Sequence, residues 1–429
     1  MLEYFQQKAE RGAAMDWLRK LDNPLRYAKA ILKWGLLGIL MGCIGGAVGS
    51  GFHYVLHFVT HLRGEHMWLV WLLPLGGLLT VGLYRILKLR KNRGTNEIID
   101  AILNNDPVKA TVAPAIFLAT ATTHLLGGSA GREGAALQLG GSIGSWIAKW
   151  LRLDDKDRTV LIMSGMSAVF AGLFGTPLAA CIFVLEFIMV GRIFTPALVP
   201  CYLSALVASL GAQALGILPE TFPLTTAVAF NISGTLRYML LAVLVSLVGI
   251  IMCQIFHKAE HLAARFIPNT WLRIAIGGAV IAGLTAIVGD QRYNGAGMDM
   301  ALTAVGGQAD WYDFLMKMLF TAVTLAAGFK GGEIVPTFCI GATFGCVLGS
   351  LLGLDPGISA ALGLVGLFCC ATNAPLAAIA LSIEMFGSTN LYLFGLVCVI
   401  CFLLSGNGGL YGSQRLQFRK TETGQKEHT

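Results

Sequence analysis

The residues most able to do chemistry lie in one glycine-dense stretch, GGSAGREGAALQLGGSIGS (127–145). Within it, Arg132 and Glu133 carry opposite charges in a neighbourhood that is otherwise apolar. A charge inside a hydrophobic layer costs free energy, so such residues usually line a water-filled path or pair with a partner. Glycines let the backbone approach another backbone, or an ion, at close range. The stretch therefore predicts an ion site built from helix ends, with Glu133 as its titratable group.

The composition is that of a membrane protein. The chain has 429 residues, of which 55% are hydrophobic and 13% are charged, and its mean hydropathy is +0.68. Soluble domains carry about 25% charged residues. The sequence therefore predicts a protein that crosses the lipid bilayer many times, and it disfavours an enzyme that acts on a soluble substrate. We predict no enzymatic activity.

Basic residues concentrate before the first apolar run and after the last one, and the net charge is +7. They are Lys8, Arg11, Arg19, Lys20, Arg26, Lys29 and Lys33 at one end, and Arg415, Arg419, Lys420 and Lys426 at the other. Lys and Arg mark the cytoplasmic side of membrane segments. We therefore predict a cell-membrane protein with both termini in the cytoplasm, and no nucleic-acid surface.

Ten cysteines lie in apolar runs, and their spacing matches neither a disulfide framework nor a metal site. They are Cys43, Cys181, Cys201, Cys253, Cys339, Cys346, Cys369, Cys370, Cys398 and Cys401. Cysteine in such surroundings behaves as a small hydrophobic residue. We predict no metal, disulfide or organic cofactor.

An internal repeat relates the two halves of the chain. The string Pro-Leu-Ala-Ala occurs twice, and a glutamate follows each proline by nine residues, at Glu186 and Glu384. These copies are 198 residues apart, and Glu133 in GREGAALQLGG has a counterpart 200 residues later, Glu333 in GGEIVPTFCIG. Short apolar segments broken by Gly or Pro in corresponding halves are typical of transporters with inverted repeats. The residues alone leave open whether the halves are inverted or parallel.

We divide the chain into three predicted regions. Residues 1–30 form a cytoplasmic amphipathic segment, residues 31–411 form the membrane domain, and residues 412–429 form a short cytoplasmic tail. Within the membrane domain the first repeat covers about 31–216 and the second about 236–411.

Several strings together resemble the CLC family of anion channels and proton-coupled anion exchangers. They are RGTNEII (93–99), GSAGREGA (128–135), FGTPLA (174–179), GGEIVP (331–336), NAPLA (373–377) and Tyr411. The resemblance implies an all-α polytopic fold of about 18 tilted and broken helices in two inverted repeats. It also implies a homodimer with a separate path for halide anions in each subunit.

The resemblance also assigns roles to individual residues. It makes Glu133 the gating glutamate, which competes with anions for the path and carries protons. It places the following residues at the anion: Gly94, Thr95, Arg132, Gly134, Ile334, Val335 and Tyr411. Helix N-termini carry unpaired N–H groups and partial positive charge, so they can hold an anion without a fixed counter-charge.

The chain departs from the chloride-transporting pattern at two positions. Phe187 stands where chloride/proton exchangers have an internal proton-transfer glutamate, and Glu333 stands where chloride-selective members have an apolar residue. Both changes resemble the fluoride/proton antiporter branch, with Glu333 as a second proton-transfer residue. Thr95, Val335 and Ala135 do not match that branch or the family signature, so the filter is atypical. We predict fluoride/proton antiport, with a chloride channel or chloride/proton antiporter as the alternative.

Other residues have simpler interpretations. We expect the repeat-related Glu186 and Glu384 to be structural or water-facing, His124 to be a hydrogen-bonded core residue, and Thr95 to be a helix N-cap as well as an ion contact. The string Gly127-Gly128-Ser129-Ala130-Gly131 matches G-x-S-x-G, the motif of serine hydrolases. That motif requires a strand–turn–helix context, which the sequence does not indicate.

Overall fold

The computed structural model describes residues 24–89, 93–224, 226–417 and 420. These residues form sixteen α-helices, against the eighteen or so expected, together with two 3-10 turns and one sheet of two short strands. The sheet pairs β1 (Met189–Val190) with β2 (Arg415–Leu416) in parallel.

The helices fall into two sets of eight, one in each half of the chain. The first set is α1 (Pro24–Glu65), α2 (Leu73–Ile86), α3 (Thr95–Asn104), α4 (Val112–Leu125), α5 (Glu133–Trp150), α6 (Asp155–Phe174), α7 (Pro177–Glu186) and α8 (Leu198–Ala214). The second set is α9 (Ile232–Phe266), α10 (Thr270–Val288), α11 (Met298–Val305), α12 (Asp313–Ala327), α13 (Ile334–Leu351), α14 (Pro356–Thr372), α15 (Pro375–Phe386) and α16 (Leu391–Leu404).

The terminal regions agree only in part with their predicted limits. Helix α1 begins at Pro24, so the last residues of the predicted segment 1–30 already belong to the first membrane helix. Residues 1–23 lie outside the described part of the chain. In the predicted tail, strand β2 packs back on the membrane domain, and residues 418, 419 and 421–429 lie outside the described part.

Helix lengths vary widely. Seven helical segments of the described residues are long and apolar enough to cross a membrane, whereas α7 has 10 residues and α15 has 12. A span of the hydrocarbon layer needs about 20 residues. Helix ends at membrane depth are tolerated only where protein or a water-filled cavity surrounds them. The short helices must therefore end inside the protein.

Glycine contacts bring two equivalent helix pairs together. A Cβ atom on Gly140 of α5 would lie 2.1 Å from the carbonyl oxygen of Gly165 in α6. In the second half, a Cβ atom on Gly341 of α13 would lie 2.4 Å from the carbonyl oxygen of Gly363 in α14. Close backbone approach through small residues is the usual packing of membrane helices. These contacts fix α5 and α13, the two helices that form the site.

The repeated glutamates cap each other's helices. Glu186, at the end of α7, accepts hydrogen bonds from the backbone N–H groups of Leu376 and Ala377 at 3.1 and 2.8 Å. Glu384, in α15, accepts two bonds of 2.9 and 2.8 Å from the first turn of α7. Each carboxylate thus satisfies two of the N–H groups that a helix start leaves without an intrahelical acceptor. Both glutamates are structural, as expected from the sequence.

Candidate functional site

The site forms where the N-termini of α5 and α13 meet. Gly131 and Gly332, the residues just before these helices, exchange two backbone hydrogen bonds of 2.6 and 2.8 Å. A Cβ atom on Gly332 would lie 2.6 Å from the backbone nitrogen of Gly134, so only glycine allows this approach. Two helix starts, each with unsatisfied N–H groups and partial positive charge, therefore face one small volume.

Glu133 occupies this volume. Its side chain is fully buried, and Oε2 accepts hydrogen bonds of 3.1 Å from the backbone N–H groups of Val335 and Arg132. Oε1 has no hydrogen-bond partner among the described residues. Ile334 begins α13, so its N–H belongs to the same set of first-turn donors. A carboxylate thus lies where an anion would be held by the helix N-terminus.

Glu333 and Thr95 approach the site from the other side of Gly134. A Cβ atom on Gly134 would lie 3.2 Å from Thr95 Oγ1 and 3.5 Å from Glu333 Oε2. The Thr95 hydroxyl donates a long hydrogen bond of 3.4 Å to the Gly134 carbonyl oxygen. Thr95 is not the N-cap that we expected. It is the first residue of α3, and the N-cap is Gly94, whose positive φ of 66° suits glycine.

Tyr411 completes the site. Its side chain is buried, and its hydroxyl has no hydrogen-bond partner among the described residues. Glu133 and Glu333 both lie near enough to act on it electrostatically. The ring contacts Phe187 edge to face, with the ring centroids 5.5 Å apart. Phe187 is fully buried, so this side of the site is apolar.

The segment after α16 holds Tyr411 in place. The Leu410 N–H donates to the carbonyl oxygen of Ala371 at 2.7 Å. The Gln414 side chain donates to the carbonyl oxygens of Phe187 and Thr372 at 2.5 and 2.8 Å. Strand β2, which follows, pairs with β1 just beyond α7. These contacts hold the segment around Tyr411 against the ends of α7 and α14, whereas the preceding helix, α16, already ends at Leu404.

The side chain of Arg132 contacts groups outside this volume as well as Glu133. The guanidinium group donates to Glu220 Oε1 and to His53 Nδ1, the latter at 3.3 Å, and its Nε lies 3.9 Å from Glu133 Oε1. Of the predicted site residues, Thr95 and Glu333 lie against Gly134, Val335 binds Glu133, and the side chain of Arg132 also lines a neighbouring cavity. Glu220 and His53 were not found from the sequence, because they come from the loop after α8 and from α1.

Ser129 lacks the setting of a hydrolase nucleophile. It lies between two helices, and its hydroxyl contacts Thr321 Oγ1 and Lys317 Nζ, both at 3.0 Å. Lys317 donates also to the carbonyl oxygens of Tyr293 and Gly295, so its Nζ lies within hydrogen-bond distance of three oxygen atoms. His124, which we expected in the core, is buried and binds the Thr120 carbonyl oxygen at 3.0 Å.

Comparison with known proteins gives one family. The family model described as "Voltage gated chloride channel" matches residues 81–406. A chloride/fluoride channel protein of Pseudomonas syringae pv. tomato is 35% identical over 400 residues, which cover 91% of this chain and 88% of the relative.

Solved structures agree with this result. A CLC-type fluoride/proton antiporter superposes with a TM-score of 0.87 at 34% identity, covering 90% of this chain and 98% of that one. A slow cyanobacterial chloride/proton antiporter, at 20% identity and a TM-score of 0.73, shares the fold over 87% and 94% of the two chains. The chain is therefore a member of the voltage-gated chloride channel (CLC) family and has its all-α membrane fold with two inverted halves.

Proposed function

We propose that the chain exchanges fluoride for protons across the cell membrane. The observation that carries this proposal is the position of Glu133. Its carboxylate occupies the N-terminus of α13 through the Val335 N–H, while its second oxygen lacks a partner among the described residues. An anion and this carboxylate compete for the same donors, and the carboxylate alone can take up a proton.

Protonation of Glu133 switches the site between its two occupants. A protonated carboxyl group loses the negative charge that binds it to the helix N-terminus, so an anion can replace it at the N–H groups. When the anion leaves, the deprotonated carboxylate returns. Because each exchange moves one species for the other, anion flux in one direction drives proton flux in the opposite direction. Weak, multiple contacts let the anion leave again.

Fluoride is favoured over chloride by the donors around the site. Fluoride is small and strongly hydrated, so its dehydration requires strong hydrogen-bond donors. The backbone N–H groups of α13 and the free Tyr411 hydroxyl are such donors. When it is protonated, Glu333 adds another O–H donor. The relatives described as a chloride/fluoride channel protein and a fluoride/proton antiporter support the same choice.

Glu333 also provides a route for protons that compensates for the apolar Phe187. Phe187 cannot carry a proton, and its ring stacks on Phe183 with centroids 4.6 Å apart. Glu333 is partly exposed, whereas Glu133 is fully buried. It is therefore the carboxyl group that can exchange protons with water and pass them towards the site.

The decisive experiment uses purified protein in liposomes. Efflux of fluoride and of chloride is measured with ion-selective electrodes while the external pH is recorded. We expect faster fluoride efflux, with protons moving inward as fluoride moves out. Equal fluoride and chloride rates would favour the chloride/proton antiporter, and anion efflux without proton movement would favour the channel.

The remaining expectations belong to the same proposal. The protein is a homodimer with an independent path in each subunit, both termini face the cytoplasm, and the chain has no enzymatic activity. Cross-linked dimers in which one subunit carries a disabling substitution should keep about half of the transport. Complete loss would mean that the subunits share one path.

A further inference from the structure

A cavity of about 1180 Å³ adjoins the site. Val335 and Arg132 belong to its lining, so the cavity reaches the residues that surround Glu133. Its wall is rich in polar groups from α1, from the loop after α8 and from the segment between α10 and α12. The side chain of Arg132 forms part of the wall of this cavity.

Arg132 lies between this cavity and Glu133. Its side chain is 15% exposed, and its guanidinium group contacts Glu220, His53 and, at 3.9 Å, Glu133. Arginine has donors only, so His53 Nδ1 is the acceptor of the 3.3 Å bond. The ring of Phe174 covers one face of the guanidinium at 5.1 Å. The guanidinium group of Arg132 is thus contacted on several sides, and one of its N–H groups binds the Glu220 carboxylate.

Glu220 binds Arg132 with only half of its carboxylate. Oε1 accepts from the guanidinium, whereas Oε2 is buried and has no hydrogen-bond partner among the described residues. The backbone of Glu220 is fixed by a bond of 3.0 Å to the Phe174 carbonyl oxygen. The capping glutamates differ, since both oxygens of each are bonded. Among the described residues, Glu220 therefore accepts hydrogen bonds at one carboxylate oxygen, whereas Glu186 and Glu384 accept them at both.

Other charged groups face this pair across the cavity. Asp299 of α11 acts on Glu220 electrostatically, and His57 stacks beyond His53 on α1, with ring centroids 6.4 Å apart. Arg63 and Arg292 also belong to the cavity lining. The cavity wall carries charges of both signs, and Arg132 is a cation of this wall that also contacts Glu133.

We propose that Arg132 is an outer binding site for a small monovalent anion, and that Glu220 closes this site as a tethered competitor. The ligand class rests on the proposed function, because a transported halide must pass from the cavity to the N–H groups of α13. An anion arriving at Arg132 displaces the Glu220 carboxylate, just as it displaces Glu133 further in. The tether keeps a carboxylate at high local concentration beside the cation, so the anion binds weakly and leaves easily.

Neutralising the competitor tests this site. Glu220→Gln and the control Glu65→Gln both remove one negative charge, but Glu65 pairs with His61 and does not contact Arg132. Fluoride and chloride binding are measured by calorimetry in detergent, with Glu133→Gln present in every protein so that the inner carboxylate is constant. If Glu220 occupies the site about nine-tenths of the time, its loss tightens anion binding about tenfold. Glu65→Gln should not change the affinity.

A second change shows where the anion binds. In the Glu220→Gln protein, adding Arg132→Gln should abolish the gain in affinity. Unchanged affinity in Glu220→Gln, or a gain that survives Arg132→Gln, overturns the proposal. If Glu220→Gln does not fold, infrared spectroscopy replaces the binding measurement. The difference spectrum between fluoride-bound and anion-free wild-type protein should contain a carboxylate band, and this band should shift in Glu220→Asp. No such band overturns the proposal.

The binding and transport results can fail separately. If Glu220→Gln tightens chloride or fluoride binding while liposomes show no fluoride/proton exchange, the outer site stands and the proposed function is wrong. If liposomes exchange fluoride for protons and Glu220→Gln binds anions as the parent protein does, the function stands and the outer site is wrong.

Discussion

Two pairs of glutamates lie near corresponding helices in the two halves of the chain, but only one pair occupies equivalent positions: Glu133 is the first residue of α5, whereas Glu333 is the N-cap residue of α13. Glu186 and Glu384 have the same task, since each carboxylate accepts two N–H groups from the helix start of the opposite half. Glu133 and Glu333 differ. Glu133 is fully buried and binds the N-terminus of α13, whereas Glu333 is the partly exposed N-cap residue of that helix.

The two kinds of glutamate differ in how many of their carboxylate oxygens accept hydrogen bonds. A carboxylate with every oxygen bonded has no reason to leave its position, because leaving would uncover buried donors. A carboxylate with a free oxygen, such as Glu133, can exchange its place with an anion or accept a proton. The completeness of hydrogen bonding, rather than burial alone, is therefore the difference between Glu133 and the two capping glutamates.

The largest effect is expected at Glu133. Glu133→Gln cannot load or release a proton, so proton flux in liposomes should fall to background while a fluoride gradient is present. Anion efflux recorded in the same vesicles serves as the control that the protein is folded and inserted. Proton pumping by this variant would show that Glu133 is not the coupling residue.

Glu333→Gln should separate binding from coupling. The amide keeps a hydrogen-bond donor near the anion, so fluoride binding measured by calorimetry should be retained. Proton flux should be lost, because the amide at position 333 cannot carry a proton. If proton flux persists at the wild-type rate, Glu333 is a structural N-cap residue and the comparison between the two halves must be redrawn.

The capping glutamates should affect stability and leave transport intact. Glu186→Ala and Glu384→Ala each leave two N–H groups at a helix start unsatisfied, at a cost of about 1–3 kcal/mol. Thermal unfolding should show a similar loss for both variants. Glu186→Gln, which keeps one acceptor oxygen, should lose less. A loss of proton coupling in folded Glu186→Ala protein would contradict the structural role.

Thr95 should have the smallest effect. Its hydrogen bond to the Gly134 carbonyl oxygen is 3.4 Å long, which is beyond the usual range. A bond this weak contributes about 0.5 kcal/mol at most, so Thr95→Val should change anion affinity by about twofold or less. Thr95→Ser, which keeps the hydroxyl, is the matched control. A tenfold loss in Thr95→Val would place the hydroxyl directly on the anion.

The sequence predicted the elements that carry the site because the site is made of helix ends. Glycines and a charged residue in an apolar stretch marked the starts of α5 and α13, and the repeat linked Glu133 to Glu333. Tyr411 was predicted only from the family resemblance, because the residues around it do not combine glycines with a charged residue in an apolar stretch. The boundary at Gly94 was missed by one residue, because a glycine with positive φ replaced the expected side-chain cap.

Contacts between distant segments could not be predicted. Glu220 and His53 meet at Arg132 although they are far apart in the chain, and neither lies in a recognisable motif. The repeat also revealed Glu186 and Glu384 without showing that each caps the other half. That pairing depends on how the halves are oriented, which local patterns do not encode.

The reciprocal caps have a consequence for the origin of the chain. If a half-length ancestor paired with a second copy of itself, one glutamate at this position capped both helix starts, because a two-fold contact uses each residue twice. One mutation in that ancestor removed two caps together. After duplication and fusion, each glutamate supports a single helix start, so either can change alone. Under that history the two halves can diverge at this position one residue at a time.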